Sequence, residues 1–492
     1  MASNIRHIYN TVDENCLRHI RTIYELSLSV DKIITSNLRT ATIETRPAKS
    51  NGLWCFTLLP VILFLYTKLY DVPQLYRLAT FLSIGLSCYC ILFILFMSVS
   101  CLVLRDSLWG GCLPSGLIGS LLVYCYVRED MLFAAIFTLP PTFIFNEVLR
   151  RSLAYPKTFT IGEAMIVAQA VVISSTVVVA NYTWYLSEDV KMDLINVAIV
   201  TVLSTVGLIV TALCHLKQEQ RTLVVLGQFI GAAAVLELVE LHVLLGGDCL
   251  PRLLYFIFMN QKRRQLIGFW LFLVIVAVIL LYIRTNMAVK ATTTTRKAFH
   301  IMAAFVFASG VLYDISLIKL AAGLGLGLLI LVEALRLSKI EPISSALQSA
   351  FLIYSDEKDC GAFAMTPIYL YLGLAGPLWL VPPGAPALQR LAGVLAAGVG
   401  DSAASWFGSR YGERLWPGSN RTMEGTLFNI LSQIVTVYGL VTFDFLDQEH
   451  TLFRTVVAAT ASSLVEAKTE QVDNLILPLV TLIAFQATYL FC

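Results

Sequence analysis

The sequence has few charged residues. Asp, Glu, Lys and Arg make up 14% of its 492 residues, whereas 57% are apolar and the mean hydropathy is +0.75. Soluble domains carry about 25% charged residues, so this composition excludes an ordinary soluble enzyme. The formal net charge is only +2. Nucleic acid is therefore not expected as a partner, because domains that bind it are strongly basic.

Several common catalytic and metal-binding motifs are missing. The sequence has no GxxxxGK[ST] P-loop, no protein-kinase motif set, no GxGxxG after a strand and no GxSxG elbow. Its eleven cysteines form no CxxC pair and no Cys/His spacing typical of zinc sites. We therefore expect the cysteines to be packing residues. Any phosphoryl chemistry must use a site of another kind.

Long apolar runs fill most of the chain. A membrane-spanning helix needs about 20 mostly apolar residues, and the sequence contains about 13–15 candidate runs, of which residues 388–409 are one. The runs are too long and too continuous for the strands of an outer-membrane barrel. The sequence therefore predicts an all-α fold, a polytopic transmembrane helical bundle.

The distribution of polar residues predicts three parts. Residues 1–50 form a polar amino-terminal segment, residues 51–285 form amino-terminal transmembrane helices, and residues 286–492 form a catalytic transmembrane domain. In the second part, Glu237 and Glu240 lie within an apolar run. An intramembrane carboxylate is a functional candidate, but a structural polar contact near a helix end is the reading that we favour here.

The third part contains four polar segments, at residues 290–300, 337–362, 400–426 and 466–474. Two predicted spans separate each consecutive pair. All four segments are therefore expected on one face of the membrane. Basic residues flank this face and are scarce in the opposite turns, so the positive-inside rule predicts that it is cytosolic.

The third segment has a helical spacing of small and acidic residues. Asp401, Ser405, Gly408 and Gly412 follow at i, i+4, i+7 and i+11, which places them on one face of a helix. Close helix packing is one explanation for the small residues. It does not account for Asp401, because a carboxylate near the lipid boundary is costly unless it is paired or metal-bound.

The residues that follow suit a phosphate ligand. Turn residues, hydroxyls and an arginine between Trp416 and Gly425 are groups that bind phosphate oxygens. Carboxylates such as Asp401 and Glu424 suit a hard divalent cation. In the fourth segment, the spacing of Glu466, Glu470 and Asp473 predicts that they share one helical face.

The four segments together resemble the dolichol kinase family. The resemblance covers residues 296–478 and is carried by four motifs in order: Arg296-Lys297-x-x-His300; Asp356-Glu-Lys-Asp359-x-Gly361; Asp401-Ser-Ala-Ala-Ser405-x-x-Gly408-Ser-Arg410-x-Gly412 with Trp416-Pro-Gly418-Ser-x-Arg421-Thr422-x-Glu424-Gly425-Thr426; and Glu466-Ala-x-Thr469-x-Gln471-x-Asp473-Asn474. The sequence departs from the family pattern at Asn420, where many members have a second basic residue. A weaker likeness links the third segment to CTP-using phosphatidate cytidylyltransferases.

This resemblance implies CTP-dependent phosphorylation of dolichol or a related polyprenol. The products are dolichyl phosphate, which serves protein glycosylation, and CDP, and the reaction takes place at the cytosolic face of the endoplasmic reticulum membrane. The implied cofactor is a divalent cation such as Mg²⁺, held by Asp401 and Asp473. The implied catalytic residues are Asp401, Glu424, Asp473, Lys297 and His300. The implied CTP-binding residues are Ser402, Ser405, Gly408, Arg410, Gly412, Gly418, Arg421, Thr422, Gly425, Thr426, Arg296 and Asn474.

Other interpretations remain open at the level of sequence. Arg296 and Lys297 alone are typical of a positive-inside anchor, and His300 alone is typical of an interfacial histidine. The enzyme could be another CTP-using lipid enzyme, either a phytol or diacylglycerol kinase or a cytidylyltransferase. A secondary transporter is a third hypothesis, with Asp401, Glu466 and Asp473 along an ion path. Transporters often contain inverted repeats, and the sequence shows no convincing internal repeat.

Overall fold

The computed structural model is helical almost throughout. It describes residues 22, 25–101, 110–127, 130–188, 193–287, 292–355 and 358–489. Lys290 and Asp356 of the polar motifs, and most of the first 24 residues, lie outside these ranges. Within them there are no strands, and the single β-bridge joins Leu415 to Thr422.

The first half of the described chain contains eleven α-helices. We number them in chain order: α1 (residues 25–40), α2 (Leu58–Leu69), α3 (Gln74–Val99), α4 (Cys112–Tyr126), α5 (Met131–Ile136), α6 (Leu139–Ala154), α7 (Ile161–Glu188), α8 (Leu194–His215), α9 (Leu223–Leu245), α10 (Cys249–Phe258) and α11 (Gln261–Met287).

Nine further α-helices follow in the described part. They are α12 (Thr293–Tyr313), α13 (Ile315–Leu337), α14 (Ile343–Tyr354), α15 (Met365–Leu380), α16 (Ala387–Arg390), α17 (Asp401–Tyr411), α18 (Met423–Thr442), α19 (Thr451–Lys468) and α20 (Asp473–Thr488).

Eight helical segments of the described chain are long and apolar enough to cross a membrane, and five further apolar helices are shorter. The eight are Gln74–Val99, Met131–Ala154, Ile161–Trp184, Leu194–His215, Leu223–Leu245, Gln261–Met287, Ile315–Leu337 and Met423–Thr442. The predicted all-α, polytopic membrane fold is therefore confirmed. The division at residues 50 and 285 and the total of 13–15 spans stay predictions.

The chain separates into two compact units. The first comprises residues 1–56 and 82–172. Within it, the Arg46 guanidinium donates two hydrogen bonds to the Glu163 carboxylate, at 3.0 and 2.6 Å. Both side chains are buried, and the Thr160 amide also donates to Glu163. This fully paired carboxylate ties the segment after α1 to the start of α7.

The second unit comprises residues 57–81 and 173–492 and contains all four polar segments. Its carboxyl-terminal helices pack in sequence, α17 on α18, α18 on α19, and α19 on α20. The connections are short, so consecutive helices run antiparallel. The starts of α18 and α20 and the ends of α17 and α19 therefore meet at one end of the bundle.

The span predicted at residues 388–409 is broken. The chain forms the four-residue α16, then a π-helical turn at Val394–Gly400, and only then α17. Two glycines of the turn pack closely against the neighbouring helices α12 and α18. A Cβ on Gly398 would lie 2.5 Å from Ala304 Cβ, and one on Gly400 would lie 2.2 Å from Asn429 Oδ1. Such π-turns are frequent at functional sites, and this one ends where Asp401 begins.

The carboxylates predicted inside an apolar run have a structural role. Glu237 of α9 accepts hydrogen bonds from the Thr201 and Thr205 hydroxyls of α8, at 2.7 and 3.0 Å. Glu240 accepts one from Ser204 at 3.2 Å. These bonds hold α8 against α9, as the structural interpretation of this pair predicts.

Candidate active site

Charged side chains from all four polar segments meet at one end of the second unit. Lys297 comes from the first segment, Lys358 from the second, Asp401 and Arg421 from the third, and Asp473 from the fourth. Two helical stretches separate each consecutive pair of segments. The prediction that the four segments emerge at the same end of the helices is confirmed.

Lys297 and Asp401 form the deepest ion pair of the cluster. The Lys297 ammonium donates a short hydrogen bond to Asp401 Oδ2. The Asp401 side chain is 2% exposed and that of Lys297 is 16% exposed. Lys297 lies in the first turns of α12, and Asp401 is the first residue of α17. The π-turn and the start of α12 thus set the position of this pair.

The Asp473 carboxylate forms ion pairs with two cationic side chains. Its Oδ2 atom lies 3.0 Å from Lys358 Nζ and 3.0 Å from Arg421 Nη2. Its Oδ1 atom accepts a hydrogen bond from the Asn474 amide at 3.0 Å. Asp473 begins α20, where a carboxylate is favoured by the positive end of the helix dipole. Lys358 also lies 3.4 Å from the Gln471 carbonyl.

Glu466 is a third buried carboxylate beside this pair. Its Oε1 atom is 3.8 Å from Arg421 Nη1, and its Oε2 atom accepts a short hydrogen bond from Asn429. Gln433 in turn donates to Asn429 Oδ1 at 2.6 Å. Glu466 belongs to the fourth motif but has no predicted role in the kinase site, and neither Asn429 nor Gln433 is predicted as a site residue. Their polar i, i+4 spacing in an apolar helix was the available signal.

The ion pairs found among the described residues of the cluster balance in charge. Three carboxylates, Asp401, Glu466 and Asp473, face three cations, Lys297, Lys358 and Arg421. Burial alone would lower the pKa of the Arg421 guanidinium, but the carboxylates of Asp473, Glu466 and Asp401 outweigh it and raise that pKa above its usual value. Arg421 therefore carries its charge at every pH at which the protein is folded.

Glu424 lies apart from the buried carboxylates. Its carboxylate accepts hydrogen bonds from the backbone amides of Glu413 and Arg414, at 3.2 to 3.3 Å. The same loop is closed by the Trp416 backbone amide, which donates to the Arg421 carbonyl at 2.9 Å. Glu424 thus fixes the loop that carries Arg421, and its predicted catalytic role stays a prediction.

Two threonines complete the support of this loop. Thr422 Oγ1 accepts a hydrogen bond from the Gly425 amide at 3.1 Å and so caps α18. Thr426 Oγ1 accepts one from the indole of Trp416 at 2.9 Å. The Thr-x-Glu-Gly-Thr run therefore acts in the structure as a helix start that anchors a loop.

The small residues of α17 allow close packing against α18. A Cβ on Gly408 would lie 2.9 Å from Thr422 Oγ1, and one on Gly425 would lie 3.1 Å from the Ala404 carbonyl. Gly412 ends the helix and is equally crowded by Thr422. The packing interpretation of this stripe is thus correct for the glycines, and it also explains why Arg421 can reach the cluster.

Four further predicted residues, His300, Ser405, Arg410 and Gly418, lie on the same polar segments as the cluster or directly beside them. His300 is buried, and its Nδ1 atom lies 3.1 Å from the Arg296 carbonyl. A carbonyl can only accept, so Nδ1 carries the hydrogen and Nε2 is left as an acceptor. Ser405 is half-buried on α17. Arg410 is exposed and stacks over the Trp406 ring, and Gly418 occupies a left-handed turn position with φ of +75°.

The predicted shared helical face of the fourth segment is wrong. Helix α19 ends at Lys468, and α20 begins only at Asp473. Glu470 therefore lies in a four-residue connection between the helices. Glu466 and Asp473 still come together, because the antiparallel packing of α19 and α20 brings the end of one beside the start of the other.

The site offers oxygen ligands for a divalent cation. Besides the carboxylates of Asp401 and Asp473, the buried Oδ1 atom of Asn474 has no hydrogen-bond partner among the described residues. No group of three or more His, Cys, Asp or Glu side chains in the described ranges is arranged to hold a metal ion. Mg²⁺ is usually bound by one or two carboxylates together with substrate phosphates, and these residues fit that pattern.

The loop contacts of Glu424 lead to a testable prediction. We expect Glu424→Gln to loosen residues 412–422, because an uncharged amide accepts weaker hydrogen bonds from the Glu413 and Arg414 amides than a carboxylate does. Limited trypsin digestion at Arg414 should become faster. The matched control is Glu413→Gln, which removes an exposed charge from the same loop. Equal digestion rates in the two variants would contradict the role of Glu424.

Comparisons with known proteins agree with the motifs. A family model described as dolichol kinase matches residues 80–370. The dolichol kinase of Bos taurus is 32% identical over 403 residues, which cover 76% of this chain and 74% of the relative. That of Mus musculus is 32% identical over 402 residues, with the same shares covered. The dolichol kinase of Saccharomyces cerevisiae is 24% identical over 241 residues, covering 48% of this chain and 45% of the relative.

No solved structure gives a significant match. The family model and the mammalian relatives nevertheless extend over most of the chain, and the model includes the segments of Lys297 and Lys358. By these matches, the chain belongs to the dolichol kinase family.

Proposed function

We propose that this protein is a dolichol kinase that transfers the γ-phosphate of CTP to the hydroxyl of dolichol. The bond between the γ-phosphorus and the bridging oxygen of CTP breaks, and a bond forms from the alcohol oxygen to that phosphorus. The products are dolichyl phosphate, CDP and the proton of the alcohol. Family membership supports the acceptor and the reaction type. The polar loops support a nucleotide donor.

The observation that carries this proposal is the convergence of the four polar segments. They supply three buried carboxylates and three cations at one end of the bundle. Phosphoryl transfer needs little covalent chemistry from the protein, but it needs alignment of the two substrates and neutralisation of phosphate charge. A balanced cluster of both signs can provide partners for phosphate oxygens and for a metal ion at once.

Each charged group has a role in the proposed reaction. Arg421 binds phosphate oxygens of CTP with its planar guanidinium, and Lys297 and Lys358 add positive charge on either side. Asp401 accepts the proton of the alcohol through one carboxylate oxygen. His300 holds its ring in one tautomer through the Arg296 carbonyl and supports the adjacent turn of α12.

Asp401, Asp473 and the free Oδ1 atom of Asn474 would hold Mg²⁺. When bound, the cation would neutralise phosphate charge. Lys297, Lys358 and Arg421 form ion pairs with the carboxylates of Asp401 and Asp473. The carboxylates and cations are therefore already held in place before the nucleotide arrives.

We further propose that the site faces the cytosol from the endoplasmic reticulum membrane. Lys297, Lys358 and Arg421 all lie at the same end of the bundle, and basic residues of membrane proteins accumulate on the cytosolic side. CTP is accessible there. The hydroxyl of dolichol lies at the membrane interface, where the polar segments meet the spanning helices.

The reaction predicts a specific transfer of label. We expect the purified full chain, in dolichol-containing vesicles with Mg²⁺, to transfer label from γ-labelled CTP to the lipid and to release CDP. Label in the α-phosphate should stay with the nucleotide. Transfer of α-label to the lipid would identify a cytidylyltransferase instead. If diacylglycerol or phytol were phosphorylated and dolichol were not, the proposed acceptor would be wrong.

The experiment also addresses the transporter hypothesis. Chelation of Mg²⁺ should abolish transfer, and excess Mg²⁺ should restore it. Substrate flux across sealed vesicles without lipid phosphorylation would contradict the kinase function. Replacing γ-labelled CTP by γ-labelled ATP measures how strongly the site distinguishes the two donors.

A further inference from the structure

An elongated apolar cavity adjoins the charged cluster. It has a volume of about 1010 Å³ and lies between α11, α12, α18 and the π-turn with α17. Its lining includes Ile301, Ala308, Leu395, Ser402, Trp406 and Leu440. All of these helices belong to the second unit. A volume of this size is at the upper end for small-molecule sites.

The cavity runs along the helices from the polar segments towards the opposite turns. Ser402 and Trp406 line it at the end where the charged cluster lies, whereas Lys262, Tyr313 and Phe445 line it at the other. The lining stretch of α12 from Ile301 to Tyr313 is about 18 Å long at 1.5 Å per residue. The shape suits a long, thin apolar ligand.

The cavity borders an exposed apolar surface. Phe305 on α12 is 56% exposed and Trp406 on α17 is 43% exposed, and both also line the cavity. In a membrane-spanning bundle, such side chains face hydrocarbon. A lipid could therefore enter from the side without leaving the bilayer.

One polar group in the lining stands out. The Ser309 hydroxyl donates to the Val306 carbonyl and accepts from the Trp270 indole, and the Thr436 hydroxyl donates to the Ser432 carbonyl, so both hydroxyls have partners. Ser402 Oγ is buried and has no hydrogen-bond partner among the described residues. Ser402 follows Asp401 directly in α17. The unpaired hydroxyl thus lies where the apolar cavity meets the charged cluster.

We propose that this cavity binds the isoprenoid chain of the acceptor alcohol and that Ser402 positions the hydroxyl beside Asp401. This inference rests on the proposed kinase function and specifies where its lipid substrate lies. The apolar walls accept the chain, and Ser402 Oγ forms a hydrogen bond with the alcohol oxygen. Ser402 is thereby a positioning residue for the lipid and not a contact of CTP.

Narrowing the cavity should affect acceptors according to chain length. Ala308 lines the part of the cavity that lies away from Ser402. We expect Ala308→Trp to lower kcat/KM for dolichol by at least about tenfold, because the indole occupies space needed by the distal isoprene units. Phosphorylation of citronellol, a ten-carbon alcohol that fills only the proximal part, should change less than about twofold. The KM for CTP should stay the same.

The matched control is Ala303→Trp, on the same helix but absent from the cavity lining. It should leave the ratio of dolichol to citronellol activity unchanged. Identical chain-length profiles in the two variants would overturn the assignment of the cavity. If the unmodified chain phosphorylated neither alcohol with CTP, the proposed function itself would be wrong, so the two failures are distinguishable.

Ser402 requires a separate readout. We expect Ser402→Ala to lower kcat/KM for dolichol about three- to tenfold, as one neutral hydrogen bond is lost, with the KM for CTP unchanged. Ser402→Thr, which keeps a hydroxyl, should retain most of the kcat/KM for dolichol that Ser402→Ala loses. A raised KM for CTP with an unchanged kcat/KM for dolichol would show that Ser402 contacts the nucleotide, and it would overturn the proposed role of Ser402 in positioning the lipid.

Photolabelling tests the location independently of activity. A polyisoprenol that carries a diazirine on its third isoprene unit should label residues 301–312 or 391–407, and unlabelled dolichol should compete. Labelling confined to the helices before residue 260 would overturn the proposal. Equal competition by phosphatidylcholine would also overturn it, because the cavity would then be a general lipid groove.

Discussion

Asp401→Asn is expected to reduce CTP-dependent phosphorylation of dolichol by roughly a thousandfold, since a metal ligand and charge acceptor of this kind contributes several kcal/mol to the transition state. The substitution keeps the size of the side chain but removes its charge. The amide can no longer neutralise a bound cation or accept the proton of the alcohol. Initial rates with saturating dolichol and γ-labelled CTP measure the effect.

The same substitution should also destabilise the protein. The Lys297 ammonium, which is largely buried, loses its hydrogen-bonded carboxylate. An unpaired buried charge costs about 3–5 kcal/mol. We therefore expect a lower midpoint of thermal unfolding for Asp401→Asn in detergent. Loss of activity from this variant alone would not separate chemistry from folding.

The double variant Lys297→Met/Asp401→Asn makes that separation. It removes both charges, so the midpoint of thermal unfolding should recover much of the loss, because no unpaired charge is left buried. Activity should stay at the level of the single variant. Asp447→Asn, an exposed carboxylate in the opposite turn, is the matched control and should behave as the unmodified chain. Recovered activity in the double variant would contradict a chemical role for Asp401.

Composition and periodicity predict the fold class well because both follow from the bilayer. A chain with 14% charged residues can satisfy its backbone in hydrocarbon only as helices or a closed barrel, and the runs are too long for a barrel. The break at residues 388–409 was not predictable in the same way. Apolar composition does not distinguish a straight helix from one that is interrupted by a π-turn. The turn depends on close contacts with Ala304 and Asn429, which are distant in sequence.

The counting of spans predicted the most useful feature of the site, which is that four distant segments lie at one end. The pairing of particular side chains was not predictable from spacing. Helical spacing predicts a shared face for Glu470, but the helix ends at Lys468. The residue type alone makes Glu424 a candidate cation ligand like Asp401, and it does not show that its carboxylate accepts hydrogen bonds from the Glu413 and Arg414 amides. In each case the side chain's partner is set by tertiary packing, which single-segment periodicity does not contain.

Arg421→Met is expected to lower kcat/KM for CTP by about two orders of magnitude, because a planar guanidinium that contacts phosphate is worth more than one ordinary hydrogen bond. The loss should appear largely as a raised KM for CTP, with the KM for dolichol little changed. In this variant Asp473 keeps its contact with Lys358 and Glu466 keeps its hydrogen bond from Asn429, so neither carboxylate is left without a partner. The protein should therefore remain folded, and CTP titrations of the initial rate are interpretable.

Arg421→Lys separates charge from geometry at the same position. The ammonium keeps the positive charge but cannot form two parallel hydrogen bonds to a phosphate or reach Asp473 and Glu466 together, as the guanidinium does through Nη2 and Nη1. Its activity should fall between those of the unmodified chain and Arg421→Met. The control is Arg77→Met, which removes an arginine from a solvent-exposed ion pair with Asp71 and should leave the KM for CTP unchanged. If Arg421→Met retained the unmodified KM for CTP, the loop would carry no phosphate contact, and the nucleotide would have to bind through Lys297 and Lys358 instead.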